Sequence, residues 1–448
     1  MNSLLFFLSV VLCARMGDIP EEDIVIVGGG VAGLATALAL HRVGLKSLLL
    51  ERADSLRTAG AAFMMWPNAW KALDALGVAH SLRQNYSLLD GISGCSNCTG
   101  VQKDVLLEKR GKGGVSWKLE SRCIERMALL EVLAKALPQG SVKFNSKIVS
   151  LYKNSSSPFT TLDLADGTSM RAKIVIGCDG VYSLVAKWIG LPPIKSSGRF
   201  ALRGMVTYPQ GHDLDKLMAQ VWGKGVKAGF IPCTDKQVYW FIATRLHPKD
   251  AKILGDADAE TVRRWALELV REFGGPVAEL IKSSPAETLN LAEIKLRWAW
   301  VWPWQWEWKK LFGKGSVTVV GDALHPVMPD LGQGACLALE DAIVLARCLG
   351  NAISDVNIAR WGHEDEKTIQ SCFKQFLHQR KWRMFAISNG SFVMGNVQDG
   401  CSKFMRFVRD RIFSPLFSMS YFLFFAKYDC GALPILSHSR GSSSSSSQ

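Results

Sequence analysis

Residues 23–33 read Asp23-Ile24-Val25-Ile26-Val27-Gly28-Gly29-Gly30-Val31-Ala32-Gly33. The first five form a short, β-branched apolar run, the pattern of a strand buried on both faces. Leu34 to Val43 is rich in Ala and Leu and reads as a helix. Leu48-Leu49-Leu50 predicts a second strand, and Glu51 ends it, 21 residues after Gly30. This is G-x-G-x-x-G between a strand and a helix with an acid downstream. Gly28 permits the tight turn, Gly30 lets a pyrophosphate approach the backbone, and Gly33 lets helix and sheet pack closely. The helix start presents N–H groups to the phosphates. Glu51 can accept both hydroxyls of an adenosine ribose. The stretch therefore predicts a dinucleotide-binding turn, and the charge of Glu51 disfavours a 2′-phosphate there.

Two further strand endings carry chemistry. Ala172 to Ile176 predicts a strand ending in Gly177-Cys178-Asp179-Gly180, and a helix follows through Trp188. Ser316 to Val320 predicts a strand ending in Gly321-Asp322. The segment from Ala323 to Gly334 reads ALHPVMPDLGQG, and an amphipathic helix runs from Ala335 to Leu349. Asp322 stands where a strand ends and can bind a polyol hydroxyl. Gly332 and Gly334 let a flat ring lie against the backbone, with the positive end of the helix aimed at it.

Together these motifs resemble the single-component flavoprotein monooxygenases, whose members include salicylate hydroxylase, para-hydroxybenzoate hydroxylase, FAD-dependent urate hydroxylase and zeaxanthin epoxidase. Glu120 to Arg126, opening a helix through Leu137, and Cys430-Gly431 add to it, the latter resembling the plant salicylate-hydroxylase-like branch. The resemblance covers about residues 22–435. It implies FAD as cofactor, with NAD(P)H as a transient co-substrate and O₂ as the oxidant. Gly28, Gly30, Ala32 and Gly33 would hold the pyrophosphate, Glu51 with Arg52 the adenosine ribose, and Arg126 the ribose or phosphates. Asp179 lies in the motif linked to both FAD and NAD(P)H. Asp322 would bind the ribityl chain, with Pro329, Gly332 and Gly334 beside the isoalloxazine. His325 reads as structural. Lys187 stands where members often carry Arg; it keeps the charge and loses the guanidinium fork.

The implied reaction is hydroxylation of a small, aromatic or heteroaromatic substrate through a flavin hydroperoxide. Two alternatives stay open: another FAD chemistry on the same fold, epoxidation or halogenation, and a diverged non-catalytic flavin-binding protein. Six tryptophans alternate from Trp298 to Trp308 and loosely resemble a halogenase W-x-W-x-I-P signature, with Trp in place of Ile. In the substrate half, Phe200–Val206, Gly225–Pro232 and Gln237–Ile242 read as strands. A basic residue and a tyrosine at comparable positions touch substrate in urate hydroxylases, and the matches here are Lys227 and Tyr239. Arg203 is a further candidate for gripping a carboxylate.

The expected fold is α/β (α+β overall): a Rossmann-like FAD-binding domain with an inserted β-sheet substrate domain and a C-terminal helical region. The FAD-binding domain would use 20–80, 105–190 and 297–360, the substrate domain 81–104 and 191–296, and the helical region 361–435. Residues 1–19 form an N-terminal extension and 436–448 a Ser-rich tail expected to be disordered.

Composition bounds the rest. The chain has 448 residues, 48% hydrophobic and 21% charged, which excludes a disordered chain, a collagen and a disulfide-stapled miniprotein. The net charge of +13 attracts anions. No run of five basic residues and no nucleic-acid motif accompanies it, so no nucleic-acid partner is expected. Eleven scattered cysteines, with Cys95-x-x-Cys98 as the lone C-x-x-C pair, read as reduced thiols without a metal site. Leu4–Leu12 is too short to span a bilayer. It reads as an extension before an alternative start at Met16, a cleaved targeting segment or a membrane anchor. The expected location is cytoplasmic, with organellar or membrane association open. Oligomeric state is not legible.

Overall fold

The computed structural model describes residues 19–56, 62–97, 100, 102–110, 116–154, 156–297, 313–353, 361–400, 402–409 and 424–434. The N-terminal apolar run, the tryptophan run and the Ser-rich tail lie outside the described residues.

In chain order the strands are β1 (Glu21–Val27), β2 (Leu48–Leu50), β3 (Ala62–Met65), β4 (Gly91–Ser96), β5 (Gln102–Leu106), β6 (Glu108–Arg110), β7 (Ser116–Lys118), β8 (Arg122–Glu125) and β9 (Val142–Lys143). There follow β10 (Ile148–Tyr152), β11 (Thr160–Leu164), β12 (Ser169–Gly177), β13 (Lys195–Thr207), β14 (Leu217–Trp222), β15 (Val226–Pro232), β16 (Gln237–Arg245), β17 (Asn290–Leu296) and β18 (Val317–Val319). Among the described residues these make two seven-stranded sheets and two ribbons.

The first sheet runs β10-β11-β12-β1-β2-β9, with β18 also paired to β12. β1 is parallel to β2 and β12, and β12 is parallel to β18. Ile24, Val25, Ile26, Val175 and Ile176 are almost wholly buried, as the apolar runs of a sheet covered on both faces require. Helix Val31–Arg42 begins three residues before the alanine-rich run, because extended Gly30 serves as its N-cap. Helix Gly334–Ile353 packs beside it.

The second sheet runs β17-β13-β16-β15-β14-β4-β5 and is mostly antiparallel. One face carries Leu202, Val206, Val238, Trp240 and Ile242. These pack on Val262 and Ala266 of helix Ala259–Leu269 and on Leu280 and Ile281 of helix Val277–Ser283. By strand alternation the other face carries Arg199, Arg203, Lys227, Tyr239 and Phe241.

The C-terminal region holds a 37-residue helix, His363–Asp399, about 55 Å long by its rise. The Gly362 N–H donates to Asp365 Oδ2 at 2.8 Å at its start, and Gly400 ends it at φ +55°. No helix among the described residues is long and apolar enough to cross a membrane. The eight cysteines among them are free thiols.

Candidate active site

The C-terminal ends of β1, β2, β12 and β18 lie along one edge of the first sheet, where α/β folds place their ligands. That edge gathers the glycine turn, Glu51, the Asp179 loop and the 321–334 loop, segments far apart in sequence.

The glycines are required by contact. Gly28 has φ +106°, and a Cβ on it would lie 2.6 Å from the Cys178 carbonyl oxygen. A Cβ on Gly33 would lie 1.8 Å from the Gly28 carbonyl oxygen. Gly30 differs: nothing lies within 4 Å of its would-be Cβ. This glycine opens onto space, as a turn built to receive a phosphate group must. Ala32 faces the third motif, since a Cβ on Gly321 would come 2.8 Å from the Ala32 Cβ. The helix start carries no side-chain cap.

Glu51 is buried, and its Oε2 accepts from Gly29 N at 2.6 Å while Oε1 accepts from Ala53 N at 2.9 Å. The carboxylate is thereby fixed beside the glycine turn. Arg52 next to it is exposed. Arg126 is half-buried at the first position of helix Arg126–Lys135, at the end of β8.

Asp179 is partly spent on local structure. Its Oδ2 accepts from Leu184 N at 2.7 Å and from Val185 N at 3.3 Å, and Ser183 Oγ donates to Oδ1. It therefore holds the start of helix Leu184–Ile189. Burial raises its carboxyl above the ordinary range against these hydrogen bonds.

Asp322 and Pro329 are exposed although their flanking residues are mostly buried, so both face an opening along the edge. The surrounding protein mass raises the Asp322 carboxyl, opposed by His325 and Arg203 nearby. Gly332 has φ +60° and lies against Trp66, whose Nε1 donates to Leu331 O at 3.1 Å. Gly334 opens helix Gly334–Ile353. The residues fit FAD: an open glycine turn, a fixed acid after β2 and an acid opening onto the same edge.

The second sheet brings Arg203 and Tyr239 to this place. Arg203 approaches the Tyr239 hydroxyl and lies within electrostatic range of Asp322. Tyr239 is buried, which pushes its hydroxyl up to about 12. Phe241 stands next to it, ring centroids 6.0 Å apart. Lys227 is not part of this pair. Its ammonium is buried, donates to Gln398 Oε1 at 2.7 Å and lies 3.6 Å from Asp330 Oδ1. Burial lowers its pKa, although Asp330 opposes the shift.

The family whose model describes an FAD binding domain matches residues 21–357. The chain belongs to this FAD-binding family. Monooxygenase 2 of Arabidopsis thaliana is 36% identical over 420 residues, covering 92% of this chain and 98% of that protein. Aurachin C monooxygenase/isomerase of Stigmatella aurantiaca is 30% identical, over 73% of this chain and 80% of that one. Klebsiella pneumoniae HpxO, solved with FAD and uric acid, is similar in fold, with a TM-score of 0.70 at 19% identity, covering 90% of this chain and 96% of its own. This member of the family is an FAD-dependent monooxygenase, an oxidoreductase.

Residues without a motif complete the site's support. Glu340 accepts from Asn68 Nδ2 at 2.6 Å and pairs with Arg380 at 2.7 Å and Arg383 at 2.8 Å. Asp341 pairs with Arg380 at 2.8 Å and His325 at 2.5 Å, and accepts from Gly321 N at 3.1 Å. His325 thus ties the third motif to the helix behind it, a structural role. A surface depression of about 330 Å³ lined by Asn97, Lys224, Glu268 and Arg271 shares no residue with this site.

Proposed function

We propose that this monooxygenase hydroxylates a small aromatic or heteroaromatic acid, held against the Arg203–Tyr239 face of the second sheet. The observation that carries this reading is the register of β13 and β16, which sets Arg203 opposite Phe241 and Met205 opposite Tyr239 and so puts Arg203 and Tyr239 side by side on one face of the second sheet, with Arg203 on the side of Asp322.

Bound FAD would supply the redox chemistry, accepting a hydride from NAD(P)H and activating O₂ so that one oxygen atom reaches the substrate ring. Gly28, Gly30, Ala32 and Gly33 would hold its pyrophosphate, and Glu51 with Arg52 its adenosine ribose. Arg126 and Asp179 would reach the ribose and phosphate region. Asp322 would take the ribityl hydroxyls, with Pro329, Gly332 and Gly334 beside the ring system. The inserted sheet would serve as the substrate domain.

Arg203 would bind the substrate anion, because a guanidinium matches a carboxylate in charge and in its forked donors. An arginine only donates hydrogen bonds, so in its contact with Tyr239 the phenolic oxygen accepts. The Tyr239 proton then remains for a ligand oxygen. With its pKa near 12 the hydroxyl stays protonated at neutral pH. Lys227 would act indirectly, through Asp330. Among the relatives, one is a 3-hydroxybenzoate 6-hydroxylase and another an FAD-dependent urate hydroxylase, both named for small ring substrates.

The test is Arg203→Met assayed with aromatic acids and their neutral amides. Losing a hydrogen bond to a charged group costs about 1.5–3 kcal/mol. KM for the acids is expected to rise roughly 10- to 100-fold, with bound FAD unchanged and the amides little affected. Equal KM for acids in both proteins would sink the reading.

A further inference from the structure

Asp330 lies in the 326–334 loop, next to Pro329, and its carboxylate is held from several sides. Arg199 on β13 donates from Nη1 to Oδ2 at 2.6 Å and from Nη2 to Oδ1 at 3.0 Å. Lys227 on β15 stands 3.6 Å from Oδ1. Asp399, the last residue of helix His363–Asp399, sets its Oδ1 2.9 Å from the same Arg199 Nη2. Arg245 on β16 reaches Asp399 Oδ2 at 3.2 Å and Asn396 Oδ1 at 2.7 Å. The side chains of Arg199, Asp330 and Asp399 are 0–1% exposed.

This junction joins three parts of the chain: the second sheet, the third-motif loop and the C-terminal helix. Arg199 and Lys227 face Asp330, and Arg199 and Arg245 face Asp399, so Arg199 is shared between the two buried carboxylates. The two-pronged Arg199–Asp330 contact fixes orientation as well as distance. The helix side is equally tight. A Cβ on Gly395 would lie 2.4 Å from Arg199 Nη1 and 2.6 Å from Asp330 Oδ2. Those atoms are pinned to each other and cannot swing aside cheaply. Burial opposes charge on both sides of the pair, yet Arg199 is held above and Asp330 below its ordinary range by the partner.

We propose that Arg199 is a positioning residue of the active site: by bridging Asp330 to Asp399 it sets the 326–334 loop against the flavin, so that the C-terminal helix determines where the loop sits. This rests on the reading that Pro329, Gly332 and Gly334 lie beside the FAD ring system. A neutral apolar contact would bury the same surface but would not fix the register of loop and helix. Oxygen transfer is sensitive to such placement, since a displacement of about 1 Å can cost on the order of a hundredfold in rate.

The experiment uses the full chain loaded with FAD. Gly395→Ala displaces the junction while keeping every charge, and Asp399→Asn removes the helix-end charge while keeping its shape. Arg199→Met and Arg199→Lys complete the set. The readouts are FAD stoichiometry, the visible band structure of bound flavin, its midpoint potential and the rate of anaerobic reduction by NADPH and NADH. We expect Gly395→Ala and Asp399→Asn to keep FAD, alter the visible band and midpoint potential, and slow reduction about tenfold. Arg199→Lys should recover part of what Arg199→Met loses. If Arg199→Met does not fold, the first two variants decide. Unaltered spectrum, potential and reduction rate, with only a lower melting temperature, would reduce Arg199 to a structural ion pair. A wild-type protein that takes up no FAD would instead overturn the reading of the FAD site, and this proposal with it.

Discussion

Gly33→Ala is expected to yield a protein that has lost its flavin. The added Cβ would sit 1.8 Å from the Gly28 carbonyl oxygen. A Cβ is fixed by its own backbone and the Gly28 oxygen is a backbone atom, so no rotamer change relieves the clash. Either the helix moves off the sheet or the glycine turn opens, and each would remove the proposed pyrophosphate contacts. We expect FAD affinity to fall at least about 100-fold, about 2.7 kcal/mol by the affinity relation. Apparent stability falls as well, because the ligand that favours the folded state is gone. Gly30→Ala separates the two effects. Its Cβ would meet nothing within 4 Å and its φ is −81°. That variant should fold as well as the wild-type apoprotein yet bind FAD poorly, because its methyl group would occupy the proposed approach of the phosphate. Visible flavin absorption after desalting, with thermal melts of the apoproteins, reads both. Full FAD occupancy in Gly33→Ala would contradict the assignment of this turn.

The second large effect is expected at Arg380. Glu340 and Asp341 are both fully buried, and Arg380 lies between them at 2.7 and 2.8 Å. Arg380→Met leaves Asp341 to His325, and Glu340 to Arg383 and Asn68. Breaking a buried pair from one side costs about 3–5 kcal/mol. At roughly 2 °C per kcal/mol that is a drop of about 6–10 °C in melting temperature. The pH dependence gives the sign. Burial alone would raise the Asp341 carboxyl, but His325 and Arg380 outweigh it and hold it at about 2. Its unfolded value is about 3.9. A depressed folded pKa contributes stability that is fully present above about pH 4 and is lost as pH falls toward 2. In Arg380→Met the Asp341 carboxyl keeps only His325 and should move back toward its unfolded value, so that variant should lose less stability than the wild type as pH falls from about 4 toward 2. Thermal melts from about pH 5 to about pH 2.5 distinguish the two. Parallel curves would mean that Arg380 does not set the Asp341 carboxyl.

The fold and the cofactor edge were legible because their signals are local. Gly28, Gly30, Gly33 and Glu51 sit within 24 residues, and each answers to a backbone contact or an opening that the turn requires. The three strand endings at Val27, Gly177 and Val319 likewise announce themselves by apolar runs stopping at Gly or Asp. Helix starts were less exact. Val31–Arg42 begins earlier than its alanine run because an extended glycine can cap without a side chain.

The second sheet's contribution was legible in kind and less so in detail. Arg203 and Tyr239 share a face and meet, which strand alternation supports once the register is known. Lys227 lies on that face too but is committed to Gln398 and Asp330. Nothing local in VKAGFIP distinguishes a lysine aimed at a cleft from one buried in an ion network. The Arg199–Asp330–Asp399 junction was not legible at all. Its members stand 131 residues apart in the case of Arg199 and Asp330, and a lone Arg on a strand or Asp in a loop carries no spacing signal. The Arg380–Glu340–Asp341 cluster is similar: the two acids sit on one helix and their partner comes from another helix about 40 residues on.

The most direct test of the central claim is anaerobic stopped-flow reduction of the bound flavin by NAD(P)H, with a panel of aromatic acids, in the wild type and in Arg203→Met. The predicted result is faster flavin bleaching with at least one acid, hydroxylated product when air is admitted, and loss of that acceleration in Arg203→Met at unchanged FAD content. Acceleration by the same acid to the same extent in both proteins, or by no acid in either, would contradict the claim that this face selects an aromatic acid.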